Sequence, residues 1–473
     1  MKTYDSIIRG RLVTPDGILD QGWLAIADGR IAAIGQGEAP AAKETHDAGN
    51  DWVVPGIIDG QTHAGSCQGL KGLESTTRSA IAGGVTTIVD MPYDDPNPLS
   101  TMATLEAKVK AIDTHAYCDV ALYGTVDKGQ PPTEIAQLAK EGICAIKISA
   151  YEVHPSRFPR ISNAETLDLL EVAAEVGLPV GLHNEDQEIV HARIARMVAQ
   201  GKTTFDWHSP SRPPAAELAS TAAFLELGAA TGAHVHIVHI SLPRGYQLVD
   251  QYRQDGYKAT AEACVHYLSF DAAVHGPIKG ARLKVNPPIR DGVLDGLWAA
   301  LQRGSVEFVS SDHSSWPLGN KNAKSIFDAG AGIPGLETLV PGFYTALKAR
   351  SATPLQDLVL YLAEKPAKFF GLWPQKGALM VGADADVTVL KDADWIYDSA
   401  KAHDDLNWTP YDGERFECRV AATFLRGAKV WDGANILGKP GDGRYAKHVR
   451  SLGIEQKTSA PVTAQNSKVR AHA

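Results

Sequence analysis

Five side chains that can bind a metal ion each follow a short apolar run in the sequence. They are His63, Lys147, His183, His239 and Asp312. Two or three imidazoles with an oxygen ligand suit zinc or a similar borderline metal, and they leave one coordination position open for water. An aspartate beside a metal-bound water is in the position of a general base. These residue types therefore predict a metal site in which Asp312 moves a proton.

Gln61 is a further candidate ligand because of its spacing from His63. Side chains alternate along a strand, so Gln61 and His63 point to the same side and could hold one ion. The apolar, β-branched run at 53–58 that leads to them is typical of a buried strand.

Spacing alone leaves two of these assignments open. His234 and His236 lie in the same segment as His239, and either could be the ligand instead. Lys147 could be an ordinary lysine at the end of a strand that reaches solvent, which is the commoner position for this residue type. Five such residues after five separate strands nevertheless favour a metal site.

The elements that must position these residues alternate between strand and helix. Patterns typical of strands occur at 53–58, 85–89, 116–123, 145–148, 179–183, 235–240, 257–262 and 306–310. Helical patterns occur at 103–112, 164–176, 215–231 and 292–302. Eight strands with helical or irregular connections predict a (β/α)8 TIM-type barrel, an α/β fold whose catalytic residues lie at the carboxyl ends of the strands. The alternative is an open doubly wound sheet, but no glycine-rich dinucleotide loop follows the first strand.

Both ends of the chain have the alternating apolar pattern of β-strands. An Asp28-Gly29 turn between apolar runs indicates a hairpin near the start, and strand patterns return after Gly371. We expect one small β-sandwich domain from residues 1–52 plus 374–440, and a metal-binding barrel from residues 53–373. Residues 441–473 are expected to form a polar C-terminal tail.

Composition argues against several classes of function. The net charge of −9 over 473 residues argues against nucleic acid as a partner, because phosphate binding needs a surplus of Lys and Arg. Five scattered cysteines without paired spacing indicate reduced thiols. We find no signal peptide and no membrane-spanning run in the sequence, so we expect a cytoplasmic protein without a membrane partner.

Several short motifs are spread between residue 1 and about residue 435. They include Pro55-Gly56-Ile57-Ile58-Asp59, Gly83-Gly84-Val85-Thr86-Thr87, His183-Asn184-Glu185, His239-Ile240-Ser241, Asn286-Pro287-Pro288-Ile289-Arg290, Ser311-Asp312-His313 and Gly335-Leu336-Glu337-Thr338. With these motifs the chain resembles the cyclic-amide hydrolases of the amidohydrolase superfamily, namely hydantoinases, dihydropyrimidinases and allantoinases. The stretch Asp90-Met91-Pro92 favours hydantoinases and allantoinases.

This resemblance implies a metal centre in which carbon dioxide carboxylates Lys147, and the resulting carbamate bridges two metals. His183 and His239 would hold one metal. The other would be held by His63, Asp312 and residue 61. The resemblance further implies attack of metal-bound hydroxide on the ring carbonyl and proton transfer by Asp312 to the leaving nitrogen. One or two zinc ions per subunit are expected, with Mn, Co or Fe as alternatives.

The chain departs from the family pattern at three positions. The family motif Asp-x-His-x-His has histidine where this chain has Gln61, a neutral and harder ligand, so one or two metals remain possible. Asn286 replaces a serine whose backbone meets the substrate ring. Tyr151 follows Lys147 by four residues instead of five, so it either stabilises the oxyanion or is structural.

Loops at the expected barrel mouth supply further candidates for substrate contact. They are Arg157, Trp316 and Gly335, with His154 and Arg160 as additional loop residues.

The predicted activity is hydrolysis of a small cyclic amide, imide or ureide, with hydantoin-like rings first and allantoin second. One alternative is a non-catalytic scaffold protein that has kept the barrel. Another is a hydrolase of the same superfamily that acts on a linear amide or deaminates a ring. Because family members commonly form tetramers or dimers, the resemblance also implies a homotetramer or homodimer.

Overall fold

The computed structural model describes residues 3–449, and segments before and after the barrel contribute to one small domain. Within these residues the domain contains a seven-stranded sheet. In order across the sheet, the strands are Ala428–Trp431, Arg415–Leu425, Val387–Ile396, Ala42–Pro55, Tyr4–Thr14, Gly17–Ala27 and Arg30–Gln36. Only Tyr4–Thr14 and Ala42–Pro55 pair in parallel among these described strands. The small β domain expected from both termini is confirmed.

Gly56 separates the small domain from the barrel. The sequence pattern predicts one barrel strand over 53–58, but Val53 and Val54 end a strand of the small domain and pair antiparallel within its sheet. The first barrel strand begins directly after Gly56. A Cβ atom at Gly56 would lie 2.2 Å from Thr86 Oγ1, so only glycine lets the two domains meet this closely.

The middle of the chain forms a barrel of parallel strands. Within the described residues its main sheet has eight strands, in the spatial order Ala259–Ala261, Val235–Ile237, Val180–His183, Ala145–Ser149, Asp119–Gly124, Val85–Asp90, Ile57–His63 and His313–Ser314. A second parallel pair, Ala263–Cys264 with Val309–Ser310, links the two edges of this sheet. Each predicted strand overlaps an observed one, so the (β/α)8 barrel is confirmed.

Helices lie between the strands along the chain. In residues 3–449 the α-helices are Gly72–Ala82, Met102–His115, Thr133–Lys140, Asn163–Val176, Gln187–Ala199, His208–Ser211, Pro214–Thr231, Pro243–Gln254, Val265–Ser269, Ala272–Lys279, Leu294–Gln302, Leu339–Arg350, Pro354–Val359 and Lys365–Phe369. Thr101 and Ser162 each form a capping box at the start of a predicted helix. No helix in this range is long and apolar enough to cross a membrane.

The barrel strands are buried on both faces, as parallel strands covered by helices must be. Every residue of Val85–Asp90 and of Asp119–Gly124 is buried, for example. Such strands appear in the sequence as continuous apolar runs, and their first polar side chains at the carboxyl ends lie at the mouth of the barrel.

Residues 441–449 pack against the barrel. Val120 N donates to Arg444 O at 2.9 Å, and Ala446 N donates to Val120 O at 2.9 Å. Val449 N donates to Gly371 O at 2.8 Å, and the Val449 side chain is buried. This part of the expected polar tail therefore covers a barrel strand, and the remainder, 450–473, lies outside the described residues.

Candidate active site

A cavity of about 140 Å³ lies at the carboxyl ends of the barrel strands. The predicted site residues that line it are Gln61, His63, Lys147, Arg157, His183, His239, Asn286, Asp312 and Trp316. Side chains without a predicted role also contribute, among them Ser66, Tyr93, Val153, Phe158 and Ser314. Of the predicted residues, all within the described part of the chain, Tyr151, Gly335 and Arg160 do not line the cavity.

Two of the strand ends have a strained backbone. The φ angle is 39° at His239 and 49° at Asp312. Residues other than glycine seldom adopt positive φ, and each such residue costs about 1–3 kcal/mol that the surrounding structure must offset. Both residues line the cavity, and strain of this kind is typical of functional sites.

His183 and His239 face each other at the cavity. His183 Nδ1 lies 3.0 Å from His239 Nε2. His183 Nε2 lies 3.0 Å from Glu185 Oε2, and because a carboxylate only accepts, this nitrogen carries the proton. The lone pair of His183 Nδ1 therefore faces His239. Burial lowers the pKa of both imidazoles, so both are neutral at neutral pH, the form that binds metals.

Arg212 holds Glu185 in place. Arg212 Nη1 donates to Glu185 Oε2 at 2.5 Å, with both side chains buried. Burial alone would raise the pKa of Glu185, but the Arg212 charge and the hydrogen bond with His183 lower it to about 2. The sequence carries a usable signal for Glu185, which follows a candidate ligand by two residues. It carries none for Arg212, which lies 27 residues further along the chain.

Tyr151 packs beside this ion pair, outside the cavity lining. The guanidinium carbon of Arg212 lies 4.8 Å from the centroid of the Tyr151 ring. The same ring meets His191 edge to face, at 5.3 Å between centroids. Tyr151 thus helps to position Arg212, and through it Glu185.

Lys147 is buried in the middle of the strand Ala145–Ser149, with 1% of its surface exposed. Burial lowers the pKa of Lys147 to about 8, although Glu262 and Asp312 oppose this shift. Burial also raises the pKa of Glu262 to about 8. The Lys147 amine is therefore far easier to deprotonate than a lysine in water. Glu262 directly follows the strand Ala259–Ala261. Its position after a strand is the sequence feature that could have identified it, as it did for other predicted residues.

Gln61, His63 and Asp312 form a second polar group. Gln61 Nε2 donates to Asp312 Oδ1 at 2.8 Å, and His63 Nε2 lies 3.3 Å from the same oxygen. Burial raises the pKa of Asp312, but the hydrogen bond with His63 and nearby positive charges bring it below the usual value. Asp312 is therefore an ionised carboxylate. Its neighbour Ser311 is fixed by Asp59, which accepts from Ser311 N at 2.8 Å and Ser311 Oγ at 2.5 Å.

The fold distinguishes the three histidines that spacing does not. His234 Nε2 lies 2.9 Å from Thr260 Oγ1, and His236 Nε2 lies 3.6 Å from Glu262 Oε2. Within the described chain, neither His234 nor His236 lines the cavity, whereas His239 does. The strand ends at residue 237, so only the histidine beyond this end reaches the mouth.

The remaining predicted residues lie at different distances from the cavity. Gly335 N donates to His313 Nδ1 at 3.2 Å, behind the cavity wall. Asn286 lines the cavity, and its Oδ1 is buried without a hydrogen-bond partner among residues 3–449. His154 also lines the cavity, and Arg160 forms an ion pair near the surface.

Aromatic side chains form one wall of the cavity. The rings of Tyr93 and Phe158 stack with their centroids 3.3 Å apart, and Trp316 lines the cavity as well. Arg157 Nη1 donates to Ser66 O at 2.8 Å, so its guanidinium ties two loops of the mouth together. A wall of this kind favours a planar, partly apolar ring.

A model of the Amidohydrolase family matches residues 52–430. This chain belongs to the amidohydrolase family. It is 32% identical over 462 residues to an allantoinase of Rubrobacter xylanophilus, an alignment that covers 96% of this chain and 100% of the relative. It is 31% identical to an L-hydantoinase of Paenarthrobacter aurescens, over 93% of this chain and 98% of the relative.

Solved structures of amidohydrolases share the whole architecture. The L-hydantoinase of Arthrobacter aurescens superposes with a TM-score of 0.89 at 30% identity, covering 94% of this chain and 100% of that one. A D-hydantoinase gives a TM-score of 0.86 at 30% identity, covering 94% of this chain and 99% of that one. The resemblance and the fold expected from the sequence are confirmed.

Proposed function

We propose that this amidohydrolase opens a small cyclic amide or ureide by adding water across a ring C–N bond, with hydantoin-like rings as its first substrate class. The observation that carries the proposal is the convergence of Lys147, His183, His239 and Asp312 on one cavity at the barrel mouth. These side chains come from four separate strands or from the residues just after them, and a packed structural core has no need of them together.

The donor set supports a metal ion of borderline softness. Two neutral imidazole nitrogens lie 3.0 Å apart, close to the separation of two ligands that each bind zinc at about 2.0–2.1 Å. Lys147, His183 and His239 would hold one ion, and His63, Asp312 and Gln61 are candidate ligands for a second. When bound, the ion polarises the ring carbonyl and lowers the pKa of water. Zinc fits first, with Mn, Co or Fe as alternatives.

Lys147 would bind metal as a carbamate. An amine reacts with carbon dioxide in its uncharged form, because its nitrogen lone pair forms the new N–C bond and one proton is released. The lowered pKa of Lys147, about 8, supports this reaction at neutral pH. The product carries one negative charge shared by two oxygens, which explains a buried lysine in a group of metal ligands.

Asp312 would carry the proton in ring opening. The water oxygen bonds to the ring carbonyl carbon, and its proton passes to the Asp312 carboxylate. The ring C–N bond then breaks, and Asp312 returns the proton to the leaving nitrogen. The products are a carboxylic acid and a free N–H on one open chain. The acid then releases its remaining proton to solvent and becomes a carboxylate, so atoms and charge balance. The ionised state of Asp312 at neutral pH supports the first of these transfers.

Asn286 would orient the ring. Its Oδ1 is buried, lines the cavity with the rest of the side chain, and has no partner among residues 3–449, so it can accept a ring N–H. Trp316 and Phe158 would pack against the faces of the ring. An amide ring that lacks this N–H would leave Asn286 Oδ1 unpaired, which disfavours such substrates.

Allantoin is the second candidate substrate. The named relatives divide between allantoinases and hydantoinases at 32% and 31% identity, so similarity alone favours neither. A non-catalytic scaffold is the third candidate. The buried pair Glu185–Arg212 argues against it, because this pair fixes the tautomer of His183 at an energetic cost that a scaffold has no reason to retain.

The decisive experiment is metal analysis combined with a ring-opening assay. Protein expressed without chelator should contain at least one equivalent of a transition metal per subunit by elemental mass spectrometry. It should release carboxylate from hydantoin or from allantoin, and the faster substrate identifies the class. Protein that stays free of metal after incubation with zinc and bicarbonate, and that opens neither ring, would leave the scaffold as the better reading.

We also infer that the subunit assembles into a homodimer or homotetramer. Support comes from the helix Ala272–Lys279, on which Val274 is 63% and Ile278 is 81% exposed. Residues four apart lie on one face of a helix, so these two side chains form an apolar stripe. Analytical ultracentrifugation would reveal the assembly, and a monomer at micromolar concentration would contradict it.

A further inference from the structure

The two groups of candidate ligands differ in how their polar atoms are satisfied. In the second group, Asp312 Oδ1 accepts from Gln61 Nε2 at 2.8 Å and lies 3.3 Å from His63 Nε2. These three side chains thus form a hydrogen-bonded set. In the first group, His183 Nδ1 and His239 Nε2 also lie at hydrogen-bond distance, 3.0 Å, but His239 Nδ1 is buried without a partner in the described chain.

The Gln61 amide turns its N–H side toward Asp312, because Nε2 donates to Asp312 Oδ1 at 2.8 Å. The opposite orientation would place two oxygen acceptors, Gln61 Oε1 and the Asp312 carboxylate, against each other. Only Gln61 Oε1 remains to bind a metal, and it is buried without a partner in the described chain. A neutral amide oxygen is a weak ligand for zinc compared with imidazole.

The residues that contact the candidate ligands from behind also differ between the two groups. His183 in the first group is fixed by Glu185 and Arg212, which keep its Nδ1 unprotonated. Such support raises the affinity of a metal ligand by about 10–100-fold. In the second group, His63 Nδ1 meets only the hydroxyl of Ser66, at 3.3 Å, among the described residues. A hydroxyl neither fixes the tautomer of an imidazole nor increases its basicity as a carboxylate does.

We infer that Gln61 is a positioning residue for Asp312, and that this enzyme works with a single metal ion held by Lys147, His183 and His239. The inference rests on the proposed hydrolase function. Gln61 holds the carboxylate of Asp312 in place to receive a proton, a task that the second metal would otherwise share. At Asp312, the hydrogen bond from Gln61 thus takes the place of a second metal ion.

Two substitutions at Gln61 test the number of metal ions and the positioning of Asp312 separately. Gln61→His supplies an imidazole and should raise the metal content from one to two equivalents per subunit. Gln61→Met keeps the side-chain length but removes the N–H, so metal content should stay at one. Because Asp312 loses its anchor, kcat should fall about tenfold while KM changes little. Gln302→Met, the same change at an exposed residue, is the matched control.

Manganese-loaded protein gives a readout that is independent of activity. One Mn²⁺ per subunit should give the resolved EPR spectrum of an isolated ion, and Gln61→His should give the broadened spectrum of a coupled pair. Two equivalents in the native protein, falling to one in Gln61→Met, would make Gln61 a ligand and overturn the inference. A Gln61→His protein that stays at one equivalent would also overturn it. Native protein without metal and without hydrolysis would instead refute the proposed function itself.

Discussion

Glu185 accepts a hydrogen bond from His183 Nε2 at 3.0 Å, inside a space closed to solvent. This contact leaves Nδ1 as the unprotonated nitrogen of His183, so in the proposed metal site a residue that does not touch the ion would control its affinity. Arg212 completes the arrangement by holding the carboxylate in its charged form.

Glu185→Gln should therefore weaken metal binding. The glutamine can still accept from His183, but it loses the charge that pairs with Arg212, and its amide can rotate. We expect metal affinity to fall about 10–100-fold, measured by competition with a chelator. Glu188→Gln, on the exposed surface nearby, should leave the affinity unchanged. Equal affinities for native and Glu185→Gln protein would mean that His183 is not a metal ligand.

Asp312→Asn should nearly abolish turnover while the protein remains folded. Asparagine keeps the shape and can still hydrogen-bond Gln61, but it cannot take up a proton at neutral pH. We expect kcat to fall about 10²–10⁴-fold, the usual contribution of a general acid–base group. If one ion is held by the first group of ligands, metal content stays at one equivalent. Turnover near the native rate would show that the proton travels by another path.

The strand-end residues could be predicted because of how a parallel barrel is built. Each strand is largely an apolar run, so a metal-binding side chain within it or at its end, such as Lys147 or His183, is conspicuous. The same continuity hid the domain boundary, since the apolar run at 53–58 continues through Gly56 from one sheet into another. Periodicity contains no information about which sheet a buried strand joins.

Contacts between residues far apart in sequence could not be predicted. Arg212 reaches Glu185 from the short connection between the helices His208–Ser211 and Pro214–Thr231, and its sequence neighbours give no sign of a buried partner. Tyr151 shows the opposite case. Its distance from Lys147 along the chain suggests a side chain in the cavity, whereas the loop carries its ring to the Arg212 face. The position of such a side chain depends on the conformation of its loop, and loops have no regular sequence repeat from which a conformation could be predicted.

His403 should make stability depend on pH. Its ring lies 3.1 Å from Glu337, and this hydrogen bond raises the pKa of His403 above its ordinary value. A raised pKa means that the folded state binds the proton more tightly. The stabilisation is therefore complete below the unfolded pKa, about 6.5, and is lost as the pH rises through the higher folded value.

Replacing this histidine should remove the pH dependence. His403→Gln keeps a hydrogen-bond donor near Glu337 without the charge, so its melting temperature should fall below that of the native protein at pH 6 but approach it at pH 9. Differential scanning calorimetry at both pH values makes the comparison. A deficit of the same size at both values would mean that the charge of His403 does not contribute.

Lys376 should be essential to the junction between the two domains. Its Nζ lies 2.7 Å from Asp119 Oδ2 in the barrel and 2.5 Å from Asp386 Oδ2 at the start of the returning sheet, with all three side chains buried. Lys376→Met fits the space but leaves buried carboxylates facing each other without their cation. Removing one partner of a buried ion pair costs about 3–5 kcal/mol.

The matched control is Lys401→Met, a lysine that is 82% exposed and pairs only locally with Asp398 among the described residues. That change should alter stability by no more than about 0.5 kcal/mol. Thermal unfolding of both variants gives the comparison. Because Lys376 joins elements more than 250 residues apart in sequence, its loss should also separate the unfolding of the two domains into two transitions. A single transition at the native temperature would mean that Arg426, which also contacts Asp119, suffices to hold the junction.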